Sequence, residues 1–400
     1  MATENCEDGG TGSNTRSTIS ATLASEGVQF LVSGKGKVPL DFSTKGMMTC
    51  LYFSANWCRP CRRFTPLLAE VYKALNKSAK RLEIIFVSID QDEMGFKQQL
   101  ESMPWLAVPF DGTVNKRLID KYRVNRIPSF VPLNVGGEAI EGVDAIDMIE
   151  DYGAEAFPFT RTRKEELAAI DKNKREGGSL EDLLTSDGRN YLVSGNGNRI
   201  LVASLVGKPL GIYFGAHWCP PCRAFTAKLT EVYDELNKGT DPSSQPFEVV
   251  FVSTDKNQQE FDLNLSGMPW LAIPFDDKAR HDLCRIFSIQ GIPALVLLGP
   301  DGKTVSRNGR QLISSYGAKG FPFTETRISE VEGELRKQME RFPAQHKDPK
   351  HDHVLKVDMA KAYVCNHCRK QGRFWAYTCY VCDYDLHPQC VEDIRPVQNV

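Results

Sequence analysis

Apolar residues run almost unbroken through "CLYFSA" (Cys50–Ala55) and "LEIIFVSID" (Leu82–Asp90). Their length and their β-branched and aromatic content predict two strands. Between them, Phe64, Leu67, Leu68, Val71, Tyr72 and Leu75 recur at helical spacing, which predicts a helix with one buried face. Another apolar run, "SFVPLNVGG", follows Pro128 and ends in glycines, giving a further strand and a turn. The order strand, helix, strand predicts a parallel pair with a right-handed crossover. The segment "GKGK" (Gly34–Lys37) reads as a hairpin turn and not as a phosphate loop, because no strand-then-helix context follows it.

The pattern occurs twice. "FSANWCRPCRRFTP" from Phe53 is answered by "FGAHWCPPCRAFTA" from Phe214, 161 residues on. "FLVSGKGK" at Phe30 answers to "YLVSGNGN" at Tyr191 with the same offset. "FVSID" at Phe86 and "FVSTD" at Phe251 are 165 apart, as are "MPWLAVPFD" at Met103 and "MPWLAIPFD" at Met268. The change of offset marks a four-residue insertion within "GTDPSSQP" (Gly239–Pro246), which reads as a surface loop. Copies of roughly 140 residues are too long for solenoid repeats and predict two tandem domains of one fold. The expected organisation is a disordered N-terminus over 1–19, a first domain over 20–160 and a helical linker over 161–180. A second domain over 181–325, a linker helix over 326–346 and a Cys/His-rich domain over 347–400 complete it.

Composition narrows the function classes. Lysine and arginine total 49 against 51 acidic residues, a net charge of -2, so no electrostatic case exists for nucleic-acid binding. No apolar run reaches the length of a membrane span. The start, "MATENCEDGG", has neither a basic n-region nor an apolar h-region, so secretion is not expected. Twelve cysteines in a chain without an export signal point to redox or metal chemistry in a reducing compartment, cytoplasmic and possibly nuclear, over a disulfide framework.

Cys58 is expected where a strand ends and a helix begins. The unpaired N–H groups of a helix N-terminus carry about half a positive charge. That field favours the thiolate and brings a cysteine from about 8.5 to about 7 or lower. The thiolate is the species that attacks disulfides. Cys58 is therefore read as the nucleophile and Cys61, one turn on, as the resolving thiol. Cys219 and Cys222 repeat the arrangement, and Trp57 and Trp218 would shield each pair on one side. The alternative is that each pair is half of a zinc site. Each pair, however, follows a strand in its own repeat and has its own downstream Ile-Pro, which favours redox chemistry.

The tail reads C-x2-C, ten residues, C-x2-C, four residues, His, two residues, Cys, from Cys365 to Cys390. Paired cysteines with a following His and Cys match metal-ligand spacing. So short a domain cannot build a large core, and zinc contributes about 10–16 kcal/mol to such domains. A disulfide-bonded tail fits poorly with five cysteines and a reducing compartment. Cys6, Cys50 and Cys284 are left unpaired and read as structural or incidental.

"WCRPC" and "WCPPC", each followed by a helix and later by an Ile-Pro, resemble thioredoxin-fold oxidoreductases. The "MPWLAVPF" and "MPWLAIPF" segments narrow the resemblance to the tryparedoxin and nucleoredoxin branch. Two such modules before a Cys/His-rich tail look like the two-module type of plant nucleoredoxin, over roughly Ser20 to the C-terminus. The resemblance implies an α/β class: two tandem thioredoxin-like domains, each a central mixed sheet flanked by helices, and a small zinc-binding domain. It implies that Pro128 and Pro293 are cis prolines packed against the disulfides, and that the backbones of Ile127 and Ile292 hydrogen-bond the substrate chain. The tail resembles the divergent protein-kinase-C type of zinc domain, which pairs ligands in an interleaved way. That assigns Cys365, Cys368, His387 and Cys390 to one Zn2+, and His353, Cys379 and Cys382 to a second. His351 is the natural fourth ligand there, with His346 and His367 as spare candidates. Two departures stand out. Tyr52 and Tyr213 occupy the place of thioredoxin's buried aspartate, which puts an aspartate proton relay in doubt. Pro66 has Ala227 as its counterpart, so the second active-site helix should run straighter.

The leading functional reading is a protein-disulfide reductase acting on oxidised cysteines of other proteins. The chain has no Rossmann or flavin motif, so NAD(P)H would serve only indirectly; the resemblance implies a separate thioredoxin reductase as donor. A redox-regulated adaptor and a holdase-like chaperone, with cysteine pairs that sense oxidation, are the other readings. Turnover separates them.

Overall fold

A computed structural model describes residues 18–40, 46–186, 188–238, 247–340 and 342–394. The readings of the segment before residue 18, of Cys6 and of the 239–246 insertion concern residues outside that set. The chain divides into two compact units, Met1–Ile170 and Asp171–Val400, and each is described on its own.

The first unit opens with α1 (Thr18–Ser25) and the hairpin β1 (Phe30–Ser33) and β2 (Gly36–Pro39). Then follow β3 (Met48–Ser54), α2 (Arg59–Leu75), β4 (Leu82–Ser88), α3 (Glu93–Glu101) and β5 (Leu106–Ala107). α4 (Gly112–Lys121), β6 (Ser129–Leu133), α5 (Ala145–Tyr152) and the start of α6 (Arg161–Gly177) complete it. The strands form one sheet in the order β2-β1-β5-β4-β3-β6. β3, β4 and β5 run parallel, while β1 pairs antiparallel with β5 and β6 antiparallel with β3.

Alternation explains why the sequence runs of β3 and β4 are continuously apolar. Successive strand residues face opposite sides of a sheet, and here both sides are covered. Cys50, Tyr52, Ile84 and Phe86 join Phe64, Leu68 and Val71 of α2 in one core. Leu51, Phe53, Ile85 and Val87 join Ile19 and Leu23 of α1 and Val114 and Leu118 of α4 in the other. α1 therefore begins inside the stretch expected to be disordered, because Ile19 and Leu23 are needed to close that second face.

The second unit repeats the plan. α7 (Leu180–Leu184), β7 (Tyr191–Val193), β8 (Arg199–Leu201), β9 (Leu210–Gly215), α8 (Pro220–Asn237) and β10 (Glu248–Ser253) come first. α9 (Gln258–Ser266), β11 (Leu271–Ala272), α10 (Ala279–Ile286), β12 (Ala294–Leu298), β13 (Thr304–Ser306) and α11 (Gly309–Tyr316) follow. The sheet order is β13-β12-β9-β10-β11-β7-β8. Leu180, Leu183 and Leu184 of α7 sit in its core, so this module starts one residue inside the stretch read as a linker.

α12 (Glu325–Met339) leads to the tail. There β14 (Gln345–His346), β15 (Leu355–Val364), β16 (Gln371–Cys379) and β17 (Tyr384–Leu386) form an antiparallel sheet, closed by α13 (Pro388–Ile394). Val331 and Leu335 of α12 pack with Trp375 of β16, and the Trp375 indole donates to the Leu335 carbonyl at 2.9 Å. Among the described residues no helix is long and apolar enough to cross a membrane.

Candidate functional site

The strand-to-helix junctions place the cysteine pairs as the spacing predicts. β3 ends at Ser54, and Cys58 is the N-cap of α2, its sulfur accepting the Cys61 N–H at 3.2 Å. β9 ends at Gly215, and Cys219 caps α8 in the same way, with the Cys222 N–H at 3.3 Å. Proline in the first turn suits both helices, since an N–H there has no intrahelical partner. Both pairs are joined as disulfides. Cys58 and Cys219 are each 5% exposed, whereas Cys61 is fully buried and Cys222 nearly so, so the first cysteine of each pair is the more accessible. Trp57 and Trp218 stand out from the surface, 58% and 48% exposed.

Each loop is anchored by a carboxylate that sequence reasoning missed. Asp90 accepts the Asn56 N–H and the Ser88 hydroxyl. Asp255 accepts the His217 N–H and the Ser253 hydroxyl. The only signal was the final aspartate shared by "FVSID" and "FVSTD".

Behind each pair lies a tyrosine in place of an acid. Tyr52 bonds Thr65 Oγ1 at 2.8 Å, and that hydroxyl donates to the Cys61 carbonyl at 2.9 Å. Tyr213 donates to the Cys222 carbonyl at 3.1 Å and meets Thr226 at 2.9 Å. Burial pushes both phenols above their ordinary range, so they stay protonated near neutrality. They brace the helix start and carry no carboxylate chemistry. Burial likewise raises the Cys50 thiol well above its usual value and that of Cys284 to about 11, which keeps both in the unreactive thiol form.

The Ile127–Pro128 and Ile292–Pro293 bonds are cis. Ile127 and Ile292 pack against their cysteine pairs, and Cys58 Sγ lies 3.8 Å from the Ile127 carbonyl oxygen. Phe157–Pro158 and Phe321–Pro322 are cis as well, which the sequence reading did not anticipate.

The tail gathers two four-donor clusters. Cys365, Cys368, His387 and Cys390 hold their donor atoms within 4.8 Å of one another, and so do His351, His353, Cys379 and Cys382. His387 Nδ1 is 3.2 Å from Cys368 Sγ, and His353 Nδ1 is 3.2 Å from Cys382 Sγ. Neither His346 nor His367 enters either cluster. Tight turns, with Arg369 and Asp383 at positive φ, follow the two C-x2-C pairs. Burial alone would raise the Cys365 thiol, but N–H groups of Cys368, His387 and His367 outweigh it and hold it below its ordinary range. His351 Nε2 is buried without a hydrogen-bond partner. Four sulfur and nitrogen donors per site, one histidine nitrogen otherwise orphaned, suit a tetrahedral zinc ion.

Two modules with a cysteine pair at a helix N-cap, beside a cis proline, define a tandem thioredoxin-like protein with a Cys/His-rich appendage. Residues 46–139 and 207–304 match the thioredoxin-like family model, and residues 349–391 match that of the C1 domain. "Probable nucleoredoxin 3" of Arabidopsis thaliana is 55% identical over 371 residues, 93% of each chain. "Probable nucleoredoxin 3" of Oryza sativa subsp. japonica is 47% identical, covering 84% of this chain and 72% of that protein. The solved tryparedoxin I of Crithidia fasciculata is 36% identical, covering 36% of this chain and 98% of its own, with a TM-score of 0.33. The chain belongs to the nucleoredoxin family, within the thioredoxin-like oxidoreductases.

Proposed function

We propose that the chain is a protein-disulfide reductase with two independently working dithiol sites. One observation supports this above the others: a slightly exposed cysteine at a helix N-cap is paired, twice over, with a buried partner one turn on.

In the reduced protein the Cys58 thiolate attacks one sulfur of a substrate disulfide. That S–S bond breaks, a Cys58–substrate disulfide forms, and the departing substrate thiolate takes up a proton. The Cys61 thiolate then attacks Cys58 Sγ. The mixed disulfide breaks, the Cys58–Cys61 bond forms, and the second substrate thiolate leaves and is protonated. Two electrons pass from the protein dithiol to the substrate. Cys219 and Cys222 act in the same way. The Ile127 and Ile292 backbones hold the substrate chain, and Trp57 and Trp218 flank it. Pro128 and Pro293 shape the opposite wall.

Restoring the dithiols needs an external donor, which we assign to a separate NAD(P)H-dependent thioredoxin reductase. Two zinc ions would be held by Cys365, Cys368, His387 and Cys390 and by His351, His353, Cys379 and Cys382. Bound there, zinc supplies folding energy to the tail. The setting is cytoplasmic or nuclear, where glutathione and thioredoxin systems keep thiols reduced.

Insulin reduction coupled to NADPH oxidation through thioredoxin reductase tests the reading. The reductase account expects many equivalents of insulin disulfide reduced per chain. A single equivalent would favour a sensor or adaptor, and dependence on dithiothreitol alone would remove the reductase partner.

A further inference from the structure

We propose that the arginine face at the start of α2 is a docking strip for acidic protein segments, which makes the first site selective for disulfides with acidic neighbours. This rests on the dithiol reading above. Arg59, Arg62 and Arg63 fall at i, i+3 and i+4 and so share one helix face. All three are exposed. Among the described residues none has a side-chain ion pair or hydrogen bond.

The helix works against this placement. Its N-terminus carries about half a positive charge, which disfavours cations there, and like charges at i, i+4 disfavour one another. The first turn of α2 holds no acidic residue. An anionic partner would offset both penalties. The acids around the site already have partners of their own, although Asp90 and Asp92 line the same cleft as Arg62. Asp90 holds the Asn56 N–H, Asp92 caps α3 through the Gly95 N–H, Glu93 pairs with Lys97 at 3.0 Å, and Asp144 pairs with Arg126.

Location gives the strip its substrate. Arg59 adjoins Cys58, whose sulfur lies 3.8 Å from the Ile127 carbonyl oxygen. A chain reaching that sulfur must pass between the α2 start and the Ile127–Pro128 loop. The second site lacks the strip, since the matching positions are Pro220, Arg223 and Ala224. Arg223 and Lys256 near it have internal contacts. Arg223 donates to the His217 carbonyl at 2.7 Å, and Lys256 sits over the Trp218 ring at 5.6 Å.

The test uses the full chain with one site silenced, as Cys219→Ser/Cys222→Ser or as Cys58→Ser/Cys61→Ser. Dithiothreitol supplies electrons, and two peptides carry the same internal disulfide flanked by Glu or by Lys. At low ionic strength the first site should reduce the Glu peptide with kcat/KM about tenfold higher than the Lys peptide, mostly through KM. About 0.5 M sodium chloride should remove most of that difference. The second site should distinguish the peptides by less than about twofold. Arg59→Gln/Arg62→Gln/Arg63→Gln should make the two peptides equal at the first site. Equal rates in the unmodified first site, a preference that survives the triple change, or the same preference at the second site would overturn the strip. Binding of labelled, cysteine-free Glu and Lys peptides to the full chain judges the strip without turnover. The Glu peptide should bind tighter in a salt-dependent way, and equal binding counts against it. Failure of both sites to reduce any peptide would instead sink the dithiol reading.

Discussion

Asp90 Oδ1 accepts the backbone N–H of Asn56 at 2.8 Å. That bond fixes the loop two residues before Cys58, and Asp255 does the same for His217 before Cys219 at 2.6 Å. Hydrogen bonds to a charged acceptor contribute about 1.5–3 kcal/mol. Asp90→Ala should therefore lower stability by about 2 kcal/mol in urea unfolding. It should also cut first-site turnover several-fold while second-site turnover holds. Asp255→Ala should show the reverse pattern. An Asp90→Ala protein with unchanged stability and first-site activity would mean that the loop is held by its covalent neighbours alone.

Metal content gives a second expectation. The full chain should carry about two zinc ions, one for each four-donor cluster. His387→Ala and His351→Ala should each lower that to about one, since three ligands leave a position open to water. Trp375 packs on Val331 and Leu335 and bonds the Leu335 carbonyl. Chelation should therefore uncover it and shift the chain's indole emission to longer wavelength, a shift that Trp375→Phe should remove. The chain has five tryptophans, so the variant is needed as the control. One zinc in the unmodified chain would show that His351 and His353 do not complete a site.

Alkaline pH should destabilise both modules. Burial raises Tyr52 and Tyr213 above the usual phenol value. In the window between the unfolded and the folded value, the unfolded chain has lost protons that the native protein keeps, so stability falls as pH rises. The contribution is complete below about pH 10 and is lost above it. Urea midpoints measured from about pH 9 upward should decline, and Tyr52→Phe/Tyr213→Phe should flatten the decline. A slope identical in the double variant would assign the loss to other groups.

What could be read in advance follows the range of the interactions. The β3 and β4 runs and the α2 periodicity are local, and so are the C-x2-C spacings; all announce themselves over a few residues. The two-residue strands β5 and β11 lie within "MPWLA" segments, too short for any period to show. The Asp90 and Asp255 anchors act across 34 and 38 residues, and no sequence window spans that. α1 looks polar at Thr18 and Ser20 and was lost in the acidic N-terminal stretch, although Ile19 and Leu23 close a core. His351 reached its cluster through ligand counting, whereas its stacking on Tyr384 at 4.3 Å had no sequence signal. The cis bonds before Pro158 and Pro322 sit in "FPF" repeats whose aromatic packing becomes visible only in three dimensions.

Two separate dithiol sites that each reduce protein disulfides should respond separately to substitution. Insulin reduction should be compared in the unmodified chain, in Cys58→Ser, in Cys219→Ser and in the double variant. Each single change should leave measurable turnover, because the other module keeps its own cysteine pair, its own helix N-cap and its own Ile-Pro segment. The double change should abolish turnover. Undiminished activity in the double variant would show that neither cysteine pair carries the reduction, and loss of all activity in either single variant would show that the sites do not work independently.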